Sequence, residues 1–337
     1  ARYRSGIGLM SRLRLALSCW NYDRVRALAD GRVRPEGIDI NFLDHSVEET
    51  FFRMLRNREF DVAELSLSSY CVSLARDPRP FVAIPIYPSR SFRHSCIFVS
   101  AKSGIREPRD VIGKRSASPE FQLTAPVWSR GILQDEYGVK IDACEYWTGG
   151  QEEPGRDEKQ KLDLPFKLHA IGPGQTLSQM IAAGDIDVIH SPRMPSTLHT
   201  QPDKVKRLFE DYVEVERAYF KKTKIFPIMH VIAIRREVYE KNRWIAMSLY
   251  KAFVEAQRIC YRELYETAAL RNMLPWMIAE IEWLRREMGE DWWPYGYAPN
   301  RHVLDTFLRY HHEQGLSKRR LQPEELFVPE SLETHKV

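Results

Sequence analysis

Strand patterns and helix patterns alternate along this chain, and the alternation limits the folds that it can form. From Leu13 to about residue 86, four short apolar runs of strand character are separated by helical segments. Strands that alternate with helices in this way are typical of a doubly wound sheet, in which helices cover both faces of the strands. The chain has 337 residues, which suffices for two such units at roughly 150 residues each.

The alternation pauses at Phe92–Ser100 and starts again after a short polar turn. We interpret Phe92–Ser100 as a buried strand that carries the chain from one lobe into a second. A return to the first lobe is predicted near 226–234, followed by a helical tail. The predicted domains are therefore lobe one, residues 1–100 with 226–337, and lobe two, residues 101–225. Both lobes are expected to be α/β, with the C-terminal helices as an extension of lobe one.

One segment, Gly149–Leu164, interrupts the second series of strands and helices. It is polar and charged, and it contains the pairs Gly149–Gly150 and Pro154–Gly155. Such a composition predicts an exposed loop.

Composition and charge argue against several classes of protein. The net charge is +4, from 50 Lys and Arg against 46 Asp and Glu, which is small for a nucleic-acid-binding surface. No apolar run approaches the roughly 18 residues that span a membrane. The five cysteines are widely spaced and form no CxxC pair, as is typical of reduced thiols. Since the first residues also lack the apolar segment of a signal peptide, we expect a cytoplasmic protein.

Several segments resemble a known family. Those that are similar to the second lobe of type II periplasmic-binding-protein folds are Asp110–Arg115, Arg130–Val139 and Ala182–Val188. Those that narrow the resemblance to the 4,5-dihydroxyphthalate decarboxylase family are Tyr87–Ser95, Trp293–Gly296 and Asn300–Arg301. The resemblance runs from about Leu13 to Phe327. It implies a two-lobed type II periplasmic-binding-protein-like fold, with a doubly wound mixed sheet in each lobe.

The resemblance also implies a decarboxylase of a hydroxylated aromatic dicarboxylate such as 4,5-dihydroxyphthalate. Loss of CO2 leaves an electron pair on a ring carbon, and a hydroxyl para to the departing carboxylate can accept that charge. The reaction then needs an acid for the ring carbon, an acceptor for the phenol proton and cations for the carboxylates. No organic cofactor is expected. A divalent metal held by a His pair and a carboxylate stays open as an alternative.

Three titratable residues are the candidate catalytic groups. His94 lies in the strand between the lobes, and an ordinary pKa of about 6.5 suits it to proton transfer. His230 lies in the returning strand, which we expect to approach the same place. Glu64 lies at the end of the third strand, where ligands bind in open α/β sheets. The structural alternatives are a packed histidine for His94 and an ion pair within the fold for Glu64.

Two arginines are the candidate ligands of the carboxylates, because the planar guanidinium matches a carboxylate in bidentate fashion. Arg93 lies in the strand between the lobes, and Arg193 follows a strand of lobe two. The alternatives are a structural ion pair for Arg93 and a solvated loop cation for Arg193. Further candidate substrate-binding residues lie at strand ends, at helix starts or in the aromatic loop near the C terminus: Trp20, Ser66, Ser118, Thr176, Ser191 and Tyr295.

The same fold is compatible with other functions, because fold alone does not determine chemistry. A non-catalytic solute-binding protein for a small aromatic acid is one alternative, and a related lyase that acts on another acid is a second. The expected partner is a small aromatic carboxylate, with no nucleic acid and no membrane. The helical tail is also compatible with a homo-oligomer.

Overall fold

The computed structural model describes residues 12–333 of the chain. Its strands, numbered in chain order, are β1 (Leu13–Ser18), β2 (Ile38–Leu43), β3 (Val62–Ser66), β4 (Phe81–Ile84), β5 (Ile97–Ser100), β6 (Arg115–Ser118), β7 (Glu145–Thr148), β8 (Leu168–Ala170), β9 (Val188–His190), β10 (Val205–Arg207) and β11 (His230–Arg235). Its α-helices are α1 (Arg26–Ala29), α2 (Val47–Phe52), α3 (Leu67–Ser73), α4 (Thr124–Tyr137), α5 (Leu177–Ala183), α6 (Thr197–Thr200), α7 (Tyr212–Thr223), α8 (Arg236–Lys241), α9 (Ile245–Leu264), α10 (Met277–Met288) and α11 (Arg301–Glu313).

The first sheet has the strand order β2-β1-β3-β11-β4. Strand β1 pairs in parallel with β2 and β3, whereas β11 is antiparallel to β3 and β4. The returning strand β11 thus lies between two strands from the first part of the chain, and it pairs His230 with Ser66. This register brings the start of β11 to Ser66, the last residue of β3, whereas Glu64, predicted at the end of the strand, lies in its middle.

The second sheet has the strand order β10-β5-β9-β6-β7-β8. Strands β6, β7, β8 and β9 are parallel, and β5 is antiparallel to β9 and β10. The prediction of an α/β fold with two mixed sheets is therefore confirmed.

The strand predicted over Phe92–Ser100 is shorter than expected. Only Ile97–Ser100 is extended, and these residues pair within the second sheet. His94–Cys96 instead form a 3-10 helical turn, in which the Cys96 N–H donates to the Arg93 carbonyl. The turn matters for the site because it sends successive side chains in different directions. The exact bounds of the two lobes stay a prediction.

A buried arginine joins this crossing to the aromatic loop near the C terminus. Arg90 donates to the carbonyl oxygens of Phe226 and Pro294 and to the side chain of Asn300. Burial lowers the pKa of Arg90 to about 10. These bonds explain structurally why the two segments that resemble the decarboxylase family lie together.

Of the helices in residues 12–333, none is both long enough and apolar enough to cross a membrane.

Candidate active site

A cavity of about 590 Å³ lies between the two sheets, and its volume suits one small aromatic acid. On the side of the first sheet it is lined by Tyr22 and His230. The start of helix α4 and residues after β9 line the opposite side, together with the loop that contains Lys159. Arg93, from the crossing between the sheets, also lines it.

Glu64 is fully buried directly behind this cavity. Its carboxylate accepts hydrogen bonds from the Tyr22 hydroxyl (2.7 Å), the Trp20 backbone N–H (3.1 Å) and the Cys19 thiol (3.5 Å), and it lies 2.5 Å from His230 Nδ1. Burial raises the pKa of Glu64, but His230 and the other donors outweigh this effect and hold the pKa below its usual value. The carboxylate is therefore ionised at neutral pH.

His230 is the first residue of β11, and its ring lies between Glu64 and the cavity. Nδ1 contacts Glu64, whereas Nε2 has no hydrogen-bond partner among the described residues. The ring also packs edge-on against Phe51, with 4.9 Å between the centroids. Because Nδ1 is engaged, Nε2 is the ring atom available to a ligand in the cavity.

Arg93 is a buried cation that forms no ion pair within residues 12–333. Only 8% of the residue is exposed, and its guanidinium contacts two sulfur atoms, Met229 Sδ at 3.1 Å and Cys96 Sγ at 3.4 Å. Sulfur is a weak acceptor, and a buried charge without a good partner is unfavourable. Arg93 is therefore suited to bind an anion in the cavity.

His94, the neighbour of Arg93, lies outside the cavity lining. It packs between the rings of Phe209 and Tyr219, with centroid distances of 5.3 and 5.1 Å. Burial lowers the pKa of His94 to about 4, and Nδ1 has no partner among the described residues. The structure thus brings His230 and Glu64 together but does not bring His94 to them.

Arg193 lines the cavity but already has a carboxylate partner. Its Nε and Nη2 atoms donate to the two carboxylate oxygens of Glu48 at 3.0 and 2.7 Å, and its side chain is 66% exposed. Burial raises the pKa of Glu48, but Arg193 outweighs this effect and the net shift is downward. The pair connects helix α2, beside the first sheet, to the segment after β9 in the second.

Two predicted serines line the cavity with their hydroxyls engaged. The Ser66 hydroxyl is hydrogen-bonded to Thr124 (2.8 Å), and the Ser191 hydroxyl donates to Gln151. Thr124 also accepts the Ser68 backbone N–H at 3.0 Å, so the starts of α3 and α4 meet there. The sequence patterns that mark the starts of α3 and α4 are local, so they contain no information about this long-range contact.

The remaining predicted residues do not line the cavity. The Trp20 side chain is 45% exposed elsewhere, and the residue contributes its backbone N–H to Glu64. Ser118 donates to the Glu120 carbonyl, and Thr176 caps helix α5. Tyr295 is buried, and its hydroxyl has no partner within residues 12–333.

The segment 149–164 forms a part of the site that was not predicted from the sequence. Gln151, Arg156 and Lys159 line the cavity. Gln151 and Gln160 are buried, so the prediction of an exposed loop is wrong for these two residues. A Cβ atom at Gly150 would lie 1.6 Å from the Glu153 carbonyl oxygen, so the tight turn requires glycine. The polarity that suggested solvent exposure serves internal hydrogen bonds and ion pairs instead.

No three His, Cys, Asp or Glu side chains in residues 12–333 are grouped so that they could hold a metal ion. Activity without a metal or an organic cofactor stays a prediction.

Two curated proteins are similar to this chain in sequence. The chain is 43% identical to 4,5-dihydroxyphthalate decarboxylase of Comamonas testosteroni over 330 residues, which cover 97% of this chain and 100% of that protein. It is 41% identical to 4,5-dihydroxyphthalate decarboxylase of Pseudomonas putida over 205 residues, or 60% of this chain and 80% of that protein. No family model matches the chain.

Solved structures of sulfonate-binding proteins share the fold. The putative periplasmic sulfonate-binding protein SsuA of Methylobacillus flagellatus KT aligns with a TM-score of 0.53 at 14% identity, covering 96% of this chain and 93% of that chain. The periplasmic aliphatic sulphonate binding protein SsuA of Escherichia coli aligns with a TM-score of 0.52 at 13% identity, covering 96% and 99%. These similarities confirm the predicted periplasmic-binding-protein-like fold, and at such low identity they concern the fold alone.

Proposed function

The chain belongs to the 4,5-dihydroxyphthalate decarboxylase family, and we propose that it removes one carboxylate of a hydroxylated aromatic dicarboxylate such as 4,5-dihydroxyphthalate. Decarboxylases are carboxy-lyases, so membership of this family assigns the chain to that class of enzyme. The alternative of a non-catalytic solute-binding protein is therefore not retained. The observation that carries the proposal for the site is the pair of Glu64 and His230, which lies at a cavity that also contains the buried cation Arg93.

In the proposed reaction, the ring and its para oxygen accept the electron pair of the C–C bond that breaks. The hydroxyl para to one carboxylate releases its proton to solvent in the cavity, and a protonated His230 donates a proton from Nε2 to the ring carbon that bears this carboxylate. The bond between that carbon and the carboxylate then breaks, CO2 leaves, and the ring becomes aromatic again while the phenolate oxygen recovers its proton. One C–C bond breaks, one C–H bond forms and one proton is consumed overall, so no oxidant or reductant is required.

Glu64 supports this proton transfer from behind His230. An ionised carboxylate on Nδ1 fixes the orientation of the ring and stabilises the imidazolium, as in other His–carboxylate pairs. Tyr22 and the Trp20 N–H donate to the same carboxylate and hold it in place.

Arg93 is proposed to bind the carboxylate that the product retains. The departing carboxylate loses its charge when it becomes CO2, so a cation on it would stabilise the substrate more than the transition state. A cation on the retained carboxylate fixes the ring without this disadvantage, and Arg93 has no ion-pair partner within residues 12–333 that would compete.

The test is CO2 release from 4,5-dihydroxyphthalate by the purified protein, with the ring product followed by ultraviolet absorbance. We expect one CO2 per molecule of acid consumed, and a loss of about 10²- to 10⁴-fold in kcat for His230→Gln. The exposed His199 provides the matched control, and His199→Gln should retain the wild-type rate.

Two outcomes would contradict parts of the proposal. Release that stops with a chelator and returns with a divalent cation would restore the metal alternative. Binding of the acid with no CO2 release would exclude this substrate and favour a related lyase reaction on another acid.

A further inference from the structure

We infer that Lys159, assisted by Arg156, binds the second carboxylate of the substrate, so that this loop selects aromatic acids with two adjacent carboxylates. The inference rests on the proposed function, because it assigns a role at the same cavity. Lys159 thereby takes the role of carboxylate ligand that was predicted from the sequence for Arg193.

Two cations share one buried carboxylate at this position. Arg156 Nη2 and Nε lie 2.7 and 2.9 Å from Glu120 Oε1, and the Lys159 ammonium contacts the same oxygen. Within residues 12–333 the ion pairs of Arg156 and Lys159 both use this one carboxylate, so pairing alone leaves one of the two cations without a carboxylate of its own. An ammonium has three N–H donors, and the bond to Glu120 uses one of them. Lys159 lines the cavity with a side chain that is only 6% exposed.

Among the described residues, neither Glu158 nor Glu152 forms an ion pair with Lys159 or Arg156, although the charge of Glu158 also acts on Lys159. Glu158 is directed toward the backbone N–H of Phe121 and the side chain of Gln122, and it does not line the cavity. Glu152 is exposed and accepts hydrogen bonds from Ser178 and Ser196, both at 2.6 Å. Within residues 12–333, Glu120 is the single carboxylate that forms an ion pair with Lys159. Burial lowers the pKa of Lys159, although Glu120 opposes this effect.

The protein holds Lys159 in place before any ligand binds. The side chain of its neighbour Gln160 is buried, donates to the Ser69 carbonyl at 2.9 Å and accepts from Arg76 at 3.0 Å. The backbone N–H of Lys159 itself donates to Glu120 at 3.2 Å. A cation that is fixed in this way loses little conformational entropy when a ligand binds.

Arg193 is less suited to this role. Both of its bidentate donors already bind Glu48, and the pair is substantially exposed. A substrate carboxylate would have to displace Glu48. It would exchange one ion pair for another at a solvent-exposed position of high dielectric constant, with little net gain in binding free energy. Arg93 and Lys159 are therefore the two cations of the cavity that fit the two carboxylates.

The test compares the binding of phthalate and benzoate by isothermal titration calorimetry. Neither acid has the hydroxyl that accepts the electrons, so neither is consumed. The single carboxylate of benzoate should bind Arg93, because Glu120 weakens the Lys159 position. We expect the wild type to bind phthalate about tenfold or more tightly than benzoate, since a hydrogen bond to a charged group contributes at least that much.

The variant Lys159→Met should lose most of this preference for phthalate and leave benzoate affinity within about threefold of the wild type. Lys159→Arg keeps the charge and should keep the preference. Lys161→Met is the matched control, because Lys161 is exposed on the same loop and does not line the cavity. Thermal unfolding establishes that each variant is folded, and Lys159→Gln replaces Lys159→Met if the latter does not fold.

The inference is overturned if the wild type shows no preference for phthalate, if Lys159→Met keeps the full preference, or if it weakens both acids equally. Failure of the proposed function has a different signature. Absence of CO2 release from 4,5-dihydroxyphthalate would contradict the reaction but leave the binding comparison valid. Normal release with no effect of Lys159→Met on phthalate binding would contradict only the role of Lys159.

Discussion

His230 Nδ1 lies 2.5 Å from Glu64 Oε1, although 166 positions separate the two residues in the chain. The antiparallel pairing of β11 with β3 creates this contact, because Glu64 is directly opposite Ile232 and His230 is its diagonal neighbour on the same face. A buried, ionised carboxylate is thereby fixed behind a histidine that faces the cavity.

The first prediction concerns Glu64→Gln, which keeps the size of the side chain and removes its charge. A neutral amide stabilises the imidazolium form of His230 less well, so we expect kcat to fall by about 10²-fold or more while KM changes little. Steady-state kinetics with 4,5-dihydroxyphthalate measure both constants. A variant that kept half of the wild-type kcat would show that the charge of Glu64 takes no part in the reaction.

The second prediction concerns Arg93→Met, in which a flexible apolar side chain replaces a buried cation. We expect KM to rise about tenfold or more, because the charged hydrogen bonds to the carboxylate are lost. The free energy of unfolding should change little, since Arg93 forms no ion pair within residues 12–333 and donates to two weak sulfur acceptors.

Arg90→Met is the matched control for this variant. Arg90 is equally buried but donates to two carbonyls and to Asn300, so its loss should lower the free energy of unfolding by about 1–3 kcal/mol. If instead Arg93→Met destabilised the fold and left KM unchanged, Arg93 would be a structural residue.

The third prediction concerns His94→Phe and the pH dependence of stability. The folded-state pKa of His94 is about 4, below its usual value of about 6.5. Between these two pH values, His94 binds a proton in the unfolded chain but not in the folded protein. Stability therefore falls as pH falls, by roughly 2 kcal/mol between pH 7 and about pH 5 for this residue. Phenylalanine cannot be protonated and can pack against Phe209 and Tyr219, so His94→Phe should lose less stability over this range.

Urea unfolding of both proteins at the two pH values measures this difference. His190 and His311 have pKa values that burial lowers to about 3, so part of the acid sensitivity will persist in the variant. CO2 release should be retained. A folded His94→Phe protein without turnover would restore His94 as the proton donor that sequence analysis proposed.

The fourth prediction concerns Arg193→Ala, which breaks the ion pair with Glu48. The Arg193 side chain of this pair is 66% exposed and the Glu48 side chain 33%. We therefore expect the free energy of unfolding to change by less than about 1 kcal/mol and KM by less than about threefold. Kinetics at low and high salt measure the effect on KM, and urea unfolding measures the effect on stability. A tenfold rise in KM for Arg193→Ala would instead make Arg193 a ligand of the substrate.

Much of the fold was predictable from the sequence, because hydrophobic periodicity is a local property. The strand that begins near Leu13, the third strand, which contains Glu64, and the strand that returns near 226–234 are all close to their predicted positions. The three-residue strands β8 and β10 and helix α7 were missed. Segments as short as these two strands contain too few residues for a period to be recognised.

The sequence by itself determined that His230 would lie at a strand end and Arg93 at the crossing between sheets, where cavities form in α/β proteins. Glu64 was predicted at a strand end too, but it lies in the middle of β3. The tertiary structure alone decided which side chains face the cavity. The turn at His94–Cys96 separates His94 from Arg93, Glu48 occupies Arg193 from 145 positions away, and Glu120 and Gln160 fix Lys159 inside. The physical reason is that side-chain direction and charge compensation depend on partners that are distant in sequence, and local pattern contains no information about them.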